Sequence, residues 1–283
     1  MGAAFRGWET PPATLLLRRG RRRLGRRQPA GRRAQACAGL RGASRARREV
    51  TARRAEDGER WRKLVPRPAA ARLDGAPGSL RKVLREVAAL FMDVEGCTRL
   101  CEDLPAGEMN ALLETYFSEF LDVVRAAGGE VTEVMGDGLL ALFEADDARL
   151  SALAGLRAAL GVRRRTQRLN ARRRRHDAVT VNMGLNAGEA LVGFTRFRAR
   201  SGERWVYAAT GPVTNVAARL AALARGGQIL ATRETAALLS NACACRSLGP
   251  HALKNVTRPV EVVEVTSARP ARRPRGRGEV SHD

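Results

Sequence analysis

Residues 130–143, EVTEVMGDGLLALF, constrain the fold more than any other stretch. Two short apolar runs flank Gly-Asp-Gly, and runs of this length around such a turn read as paired antiparallel strands. A second apolar run, Val87–Met92, is continuous rather than alternating, which is the pattern of a strand buried on both faces. Between them, Leu112, Leu113, Tyr116, Phe117, Phe120, Leu121 and Val124 recur at helical spacing from about Pro105 to Ala127, and Gly128-Gly129 ends the helix.

The rest of the interior continues in the same mixed way. A helix is predicted from about Asp147 to Asn170, its end carrying RRRTQRLNARRRR, read as a solvated helix end and loop. Residues 178–194, AVTVNMGLNAGEALVGF, read as two strands with a turn near Asn186–Gly188. The polar arm TRFRARSGER then leads into a strand, WVYAA. GPVTNVAARLAALARGG reads as a helix with Pro212 in its first turn. QILAT is a strand, RETAALLS a short helix and PVEVVEV a last strand. Strands and helices interleave, but neighbouring strands form hairpins, so the expected class is α+β rather than doubly wound.

Charge marks the ends. The 283 residues carry a net charge of +22, but residues 1–80 alone hold 21 Lys+Arg against 6 Asp+Glu, a net of +15. A segment so charged and so poor in aromatics buries too little apolar area to offset its ordering entropy. Residues 1–80 are therefore expected to be a disordered Arg-rich segment, and 267–283 a disordered basic tail. Three readings of 1–80 stand: a nucleic-acid or anionic-membrane tether, an Arg-rich targeting segment, or a reading frame extended upstream of the native start.

Composition removes several classes. Cys37, Cys97, Cys101, Cys243 and Cys245 form no C-x-x-C pair and are odd in number, which with no signal peptide points to reduced thiols and a cytoplasmic protein. His176, His251 and His282 are too scattered for a zinc site. The early apolar run Ala13–Leu17 is far too short to span a bilayer.

Asp137, between the glycines of the hairpin, has two readings. Asp-Gly is ordinary turn chemistry. Alternatively, glycine lets a phosphate or metal approach the backbone while the carboxylate holds the metal. Asp93 in LFMDVEGCT is the second carboxylate, at the end of the buried run, with Gly96 and Thr98 in a tight turn whose amides can cradle phosphate. An ionised aspartate there is unfavourable unless paired or metal-bound. Two such acids can hold two divalent ions, and oxygen ligands suit Mg2+ or Mn2+.

These segments resemble a known family, the class III adenylate/guanylate cyclase catalytic domain. FMDVEGCTRL is similar to its first metal motif, with Cys97 where Phe is usual, and EVMGDGLLALF to its second. TNVAARL resembles the transition-state motif, giving Asn215 and Arg219, and LGPHALKNVTRPVEVVEV the segment whose lysine, here Lys254, meets the terminal phosphate. The match runs through residues 86–266, with the motifs in the family's order.

The resemblance implies a ferredoxin-like, largely antiparallel sheet with flanking helices, and conversion of ATP or GTP to the cyclic nucleotide and pyrophosphate. Asp93 and Asp137 would bind two Mg2+ or Mn2+ ions, with the backbone of Val94, Gly96 and Thr98 around the triphosphate. Arg219 would stabilise charge on the transferred phosphoryl group, and Asn215, one turn earlier, would orient the ribose. A helix-start cap for Asn215 and an exposed arginine for Arg219 are the plain alternatives. The family's metal residues and Asn/Arg pair meet across a dimer, which implies a homodimer, or a heterodimer. The purine-reading positions are Glu133, which favours guanine's donors, and Ala208, which supplies no polar contact. Cys97 and Ala208 keep open a second reading, a degenerate nucleotide-binding or dimerisation module. A diguanylate cyclase fits less well, because MGDGL lacks that enzyme's consecutive acidic pair followed by Phe.

Overall fold

A computed structural model describes residues 62–75, 80–173 and 178–269. In chain order the elements are α1 (Arg67–Leu73), β1 (Val83–Val94), α2 (Cys97–Asp103), α3 (Ala106–Ala126), β2 (Glu130–Met135), β3 (Gly138–Glu144), α4 (Ala148–Asn170), β4 (Val181–Ala199), β5 (Gly202–Thr210), α5 (Pro212–Leu223), β6 (Ile229–Thr232), α6 (Arg233–Leu238), β7 (Cys243–His251) and β8 (Val260–Ala268). The strands form one sheet in the order β2-β3-β1-β4-β6-β8-β7, with β5 paired to β4. Every pairing is antiparallel except β4 with β6. This is the mixed, largely antiparallel α+β sheet expected.

The continuous apolar run of β1 is explained by burial on both sides. Ala88, Leu90 and Met92 join Leu139, Ala141 and Phe143 of β3 against α3 and α4. Val87 and Ala89 join Leu140, Leu142 and Val192 on the other face, under Ala69 of α1 and Val213 and Ala217 of α5. Met109, Leu112, Tyr116, Phe120 and Val124 form the buried stripe of α3, and each such side chain removed from water contributes about 1.5–3 kcal/mol. Asp147 caps α4, its carboxylate accepting the amide hydrogen of Leu150 at 2.7 Å. Tyr116 donates to Asn170 Oδ1 at 2.6 Å, and Asn170 in turn holds the backbone of Val179 at the start of β4.

Three expectations are corrected. The proposed turn at Asn186–Gly188 does not exist: β4 is one strand whose register with β1 runs unbroken from Val83↔Val192 to Val94↔Val181. Asn186 imitates a turn residue but is buried, donating to Val213 O and accepting from Thr232 and Thr235 hydroxyls. It ties the sheet to α5 and α6 instead. The polar arm is likewise the outer half of a β4–β5 hairpin, paired from Leu191↔Thr210 to Ala199↔Gly202. Its charge is accommodated by the Arg196–Glu203 ion pair and by Arg196 lying 5.3 Å over the Trp205 ring.

The third correction concerns the basic N-terminal segment. Residues 1–61 and 270–283 lie outside the described residues, so that expectation is met or missed only at 62–75 and 80. There the chain forms α1, with Ala69 and Ala70 buried against the sheet. Its Arg72 donates to Val192 O at 3.3 Å and lies 5.6 Å from the Tyr207 ring. An alanine pair and one bonded arginine give α1 an apolar footing that net charge alone did not reveal. β7, unassigned from the sequence, is also present at the sheet edge.

α5 sits unusually close to β4. A Cβ built on Gly184 would lie 2.0 Å from Ala217 O and 2.5 Å from Ala221 N. Only glycine allows that approach.

Candidate active site

β1 and the β2–β3 hairpin bring the two acids together. In register, Asp93 faces Gly138 of β3 on one side and Asn182 of β4 on the other. The loop of the hairpin is Gly136-Asp137, with Gly136 at a φ of 62°, the position where a two-residue turn needs glycine. Asp137 O accepts the amide hydrogen of Val94 at 3.3 Å, so the turn is fastened to the end of β1. Both aspartates are half-buried.

Their electrostatics follow from this placement. Burial pushes the Asp93 carboxyl above its usual range, the nearby Asp137 charge pushes it further, and Arg225 opposes both. A half-buried pair of like charges is what a divalent cation relieves. The donor set fits hard cations: two carboxylates, which belong to no cluster of three or more His, Cys, Asp or Glu arranged to hold a metal ion among the described residues. Mg2+ keeps several waters and takes one or two carboxylates plus phosphate oxygens, which matches such a set.

The backbone after Asp93 is partly committed. Val94 N–H is bonded to Asp137 O and Glu95 N–H to Thr180 O at 2.9 Å. The Val94 amide is thus engaged within the fold, and its side chain is buried. Gly96, at a φ of 71°, and Thr98 lie where the chain turns into α2, whose first-turn amides have no intrahelical acceptor.

Cys97 is buried, and its thiol is pushed up to about 12 by burial first, then by the nearby Asp137 carboxylate and by Cys101. A protonated thiol thus lies beside the very carboxylate expected to hold metal.

The remaining expected residues are spread out. Val213, Ala217, Leu220 and Ala221 form the buried stripe of α5, leaving Asn215 exposed and Arg219 half-buried one turn later. Among the described residues no hydrogen bond or ion pair joins either of them to Asp93 or Asp137. Glu133 pairs with Leu140, which puts it on the same sheet face as Asp93. Ala208 pairs with Gly193 and lies on the opposite side of β5 from the buried Tyr207 and Ala209. Lys254 is exposed in the β7–β8 connection, beside the buried Leu253.

Sequence reasoning missed a second set. Glu95 Oε2 accepts from Gly226 N at 2.6 Å and from Asn182 Nδ2 at 3.1 Å, while Asn182 Oδ1 accepts from Gly227 N at 3.0 Å. This latch joins the Asp93 loop to the turn after α5. Arg225 in that turn donates to Ala222 O at 2.6 Å and Ala224 O at 2.7 Å, and it is the cation whose field reaches Asp93. The only signal in the sequence was the ARGG that closes this helix segment.

With this geometry established, comparison with known proteins is decisive for class. Residues 81–264 match the family model of the adenylate and guanylate cyclase catalytic domain, and the chain belongs to that family. Adenylate cyclase 1 of Rhizobium meliloti is 30% identical over 187 residues, covering 64% of this chain and 27% of that protein. An uncharacterised protein of Mycobacterium tuberculosis is 35% identical over 173 residues, covering 58% and 28%. The chain thus spans about a quarter of the length of these relatives. Among solved structures, the adenylyl cyclase CyaB of P. aeruginosa is 28% identical with a TM-score of 0.61, covering 67% of this chain and 98% of that one. The guanylyl cyclase Cya2 is 27% identical with a TM-score of 0.54, covering 68% and 97%.

Proposed function

We propose that this chain is a nucleotidyl cyclase that converts ATP or GTP to the 3′,5′-cyclic nucleotide and pyrophosphate. The observation that carries the reading is the fastening of Asp137 to the end of β1, with the charge of its carboxylate reaching Asp93. Residues 86–266 form the catalytic domain in this reading, and 1–80 and 267–283 lie outside it.

In the reaction the ribose 3′ oxygen attacks the α-phosphorus, a bond forms there, and the bond to pyrophosphate breaks. Asp93 and Asp137 hold two Mg2+ or Mn2+ ions, which when bound lower the pKa of the attacking hydroxyl and neutralise the triphosphate. Gly96 and Thr98 line the triphosphate with their backbone, and Lys254 meets its terminal phosphate. Arg219 of a second copy stabilises charge on the phosphoryl group, and Asn215 of that copy orients the ribose. Their outward placement on α5 supports service to a partner, hence a homodimer with two composite sites. Glu133 and Ala208 face the purine. Relatives of nearly equal identity bear both cyclase names, and a carboxylate at Glu133 favours the donors of guanine.

The test is cyclic-nucleotide formation by the purified chain with Mn2+ and either ATP or GTP. Turnover by the wild type and none by Asp93→Ala or Asp137→Ala is the expected result. A second reading, a nucleotide-binding or dimerisation module without turnover, is favoured by the buried Cys97 thiol within reach of the Asp137 charge and by the apolar Ala208. It predicts nucleotide binding with no product in all three proteins.

A further inference from the structure

Cys243 and Cys245 lie on β7, the edge strand of the sheet, remote in topology from the hairpin that carries Asp137. Residues two apart on a strand project to the same face, and their sulfurs are 3.5 Å apart. Cys243 is buried and Cys245 is exposed. Two extended residues span ~6.6 Å between Cα atoms, within the ~4.4–6.8 Å that a disulfide bridges. The ladder with β8 shifts register between Ala244 and Cys245, and such an irregularity bends the strand locally. Closing 3.5 Å to the ~2.05 Å of a sulfur–sulfur bond therefore asks for side-chain rotation, not strand rupture.

We propose that Cys243 and Cys245 form a dithiol–disulfide couple oxidised by hydroperoxides, with Cys245 the attacking and Cys243 the resolving sulfur. The division follows from exposure: solvent peroxide reaches Cys245, while Cys243 sits in the core cluster with its Sγ against Leu239 O at 3.7 Å. The Cys245 thiolate attacks the hydroxyl oxygen of the peroxide; the oxygen–oxygen bond breaks, Cys245 becomes a sulfenic acid, and the departing hydroxide or alkoxide takes a proton from solvent to leave as water or alcohol. Cys243 sulfur then attacks Cys245 sulfur, the sulfur–oxygen bond breaks, and the hydroxyl departs as water with the Cys243 proton. Two electrons pass from the sulfurs to the peroxide, and a dithiol reductant reverses the change. Burial pushes the Cys243 thiol up to about 12, so it arrives at the second step protonated. The neighbouring Arg269, held by Ser240 O at 2.8 Å, opposes that shift and favours release of the proton.

The experiment treats the reduced full-length chain with hydrogen peroxide, blocks free thiols with iodoacetamide, and maps peptides by mass spectrometry. The expected product is the peptide containing both residues, two hydrogens lighter, unalkylated, and restored by dithiothreitol. Cys243→Ser should leave a Cys245 sulfenic acid that dimedone captures, and Cys245→Ser should leave Cys243 unmodified. Accumulation of sulfenic or sulfinic Cys245 in the wild type with Cys243 still alkylatable would overturn the proposal. So would a disulfide from either residue to another cysteine or another chain, or no oxidation of the pair. The wild-type mapping decides the matter even if a serine variant folds poorly.

Discussion

Asp137 holds Val94 by a backbone hydrogen bond, carbonyl to amide, at 3.3 Å. Through it a hairpin turn and the end of a central strand become one unit, and Asp93 feels the charge of Asp137. The repulsion is built into the fold rather than produced by a ligand, and its consequences can be measured.

In the absence of divalent cations the folded Asp93 keeps its proton to higher pH than the unfolded chain, whose ordinary value is 3.8. The folded state then binds more protons in the window above that value, so this group's contribution falls as pH rises through its raised folded pKa. Thermal melts in EDTA across this window should show wild type losing stability relative to Asp93→Asn as pH increases. Mn2+ should restore the wild type and not the variant.

Arg219→Ala should lower kcat by about 10^3-fold while leaving nucleotide binding nearly intact, as expected for a cation acting on transition-state charge. If α5 serves the partner's site, equal mixing of inactive Arg219→Ala and Asp137→Ala chains should restore about a quarter of wild-type turnover. Half the dimers are then mixed, and each has one intact site of two. Cyclic-nucleotide assay of the mixture checks both statements.

Cys97→Ala removes a buried thiol that lies within reach of the Asp137 charge. A thiol that competes with metal for that carboxylate by about 1 kcal/mol corresponds to about fivefold, so the Mn2+ concentration for half-maximal activity should fall by about that factor. A metal titration of both proteins checks it.

Gly184→Ala should lower the melting temperature, because the new methyl would meet Ala217 O at 2.0 Å. Overpacking of this kind costs about 1–3 kcal/mol or more. Differential scanning calorimetry reads the effect, and Gly202→Ala, which has open space around it but a φ of 137°, serves as the contrast for backbone strain alone.

The hairpin, the buried β1 and the stripe of α3 were legible because each has a periodicity that burial enforces. Asp93 and Asp137 were legible because carboxylates at strand ends and tight turns are chemically conspicuous. Asn186 misled because its side chain satisfies neighbouring helices inside the sheet, which no local pattern encodes. α1 was hidden by its charged context, since only two small residues touch the core. Arg225 was overlooked because the turn that carries it is brought to the Asp93 loop by the latch of Glu95 and Asn182 to Gly226 and Gly227. Long-range hydrogen bonds of this kind leave no spacing to read.

The central claim is that two acids grip divalent ions beneath a nucleoside triphosphate. Counting bound Mn2+ by electron paramagnetic resonance, with a non-cyclisable triphosphate present, tests it most directly. The account predicts two ions per site in the wild type and loss of protein-dependent binding in Asp93→Asn and Asp137→Asn. Equal Mn2+ binding by all three proteins would contradict it.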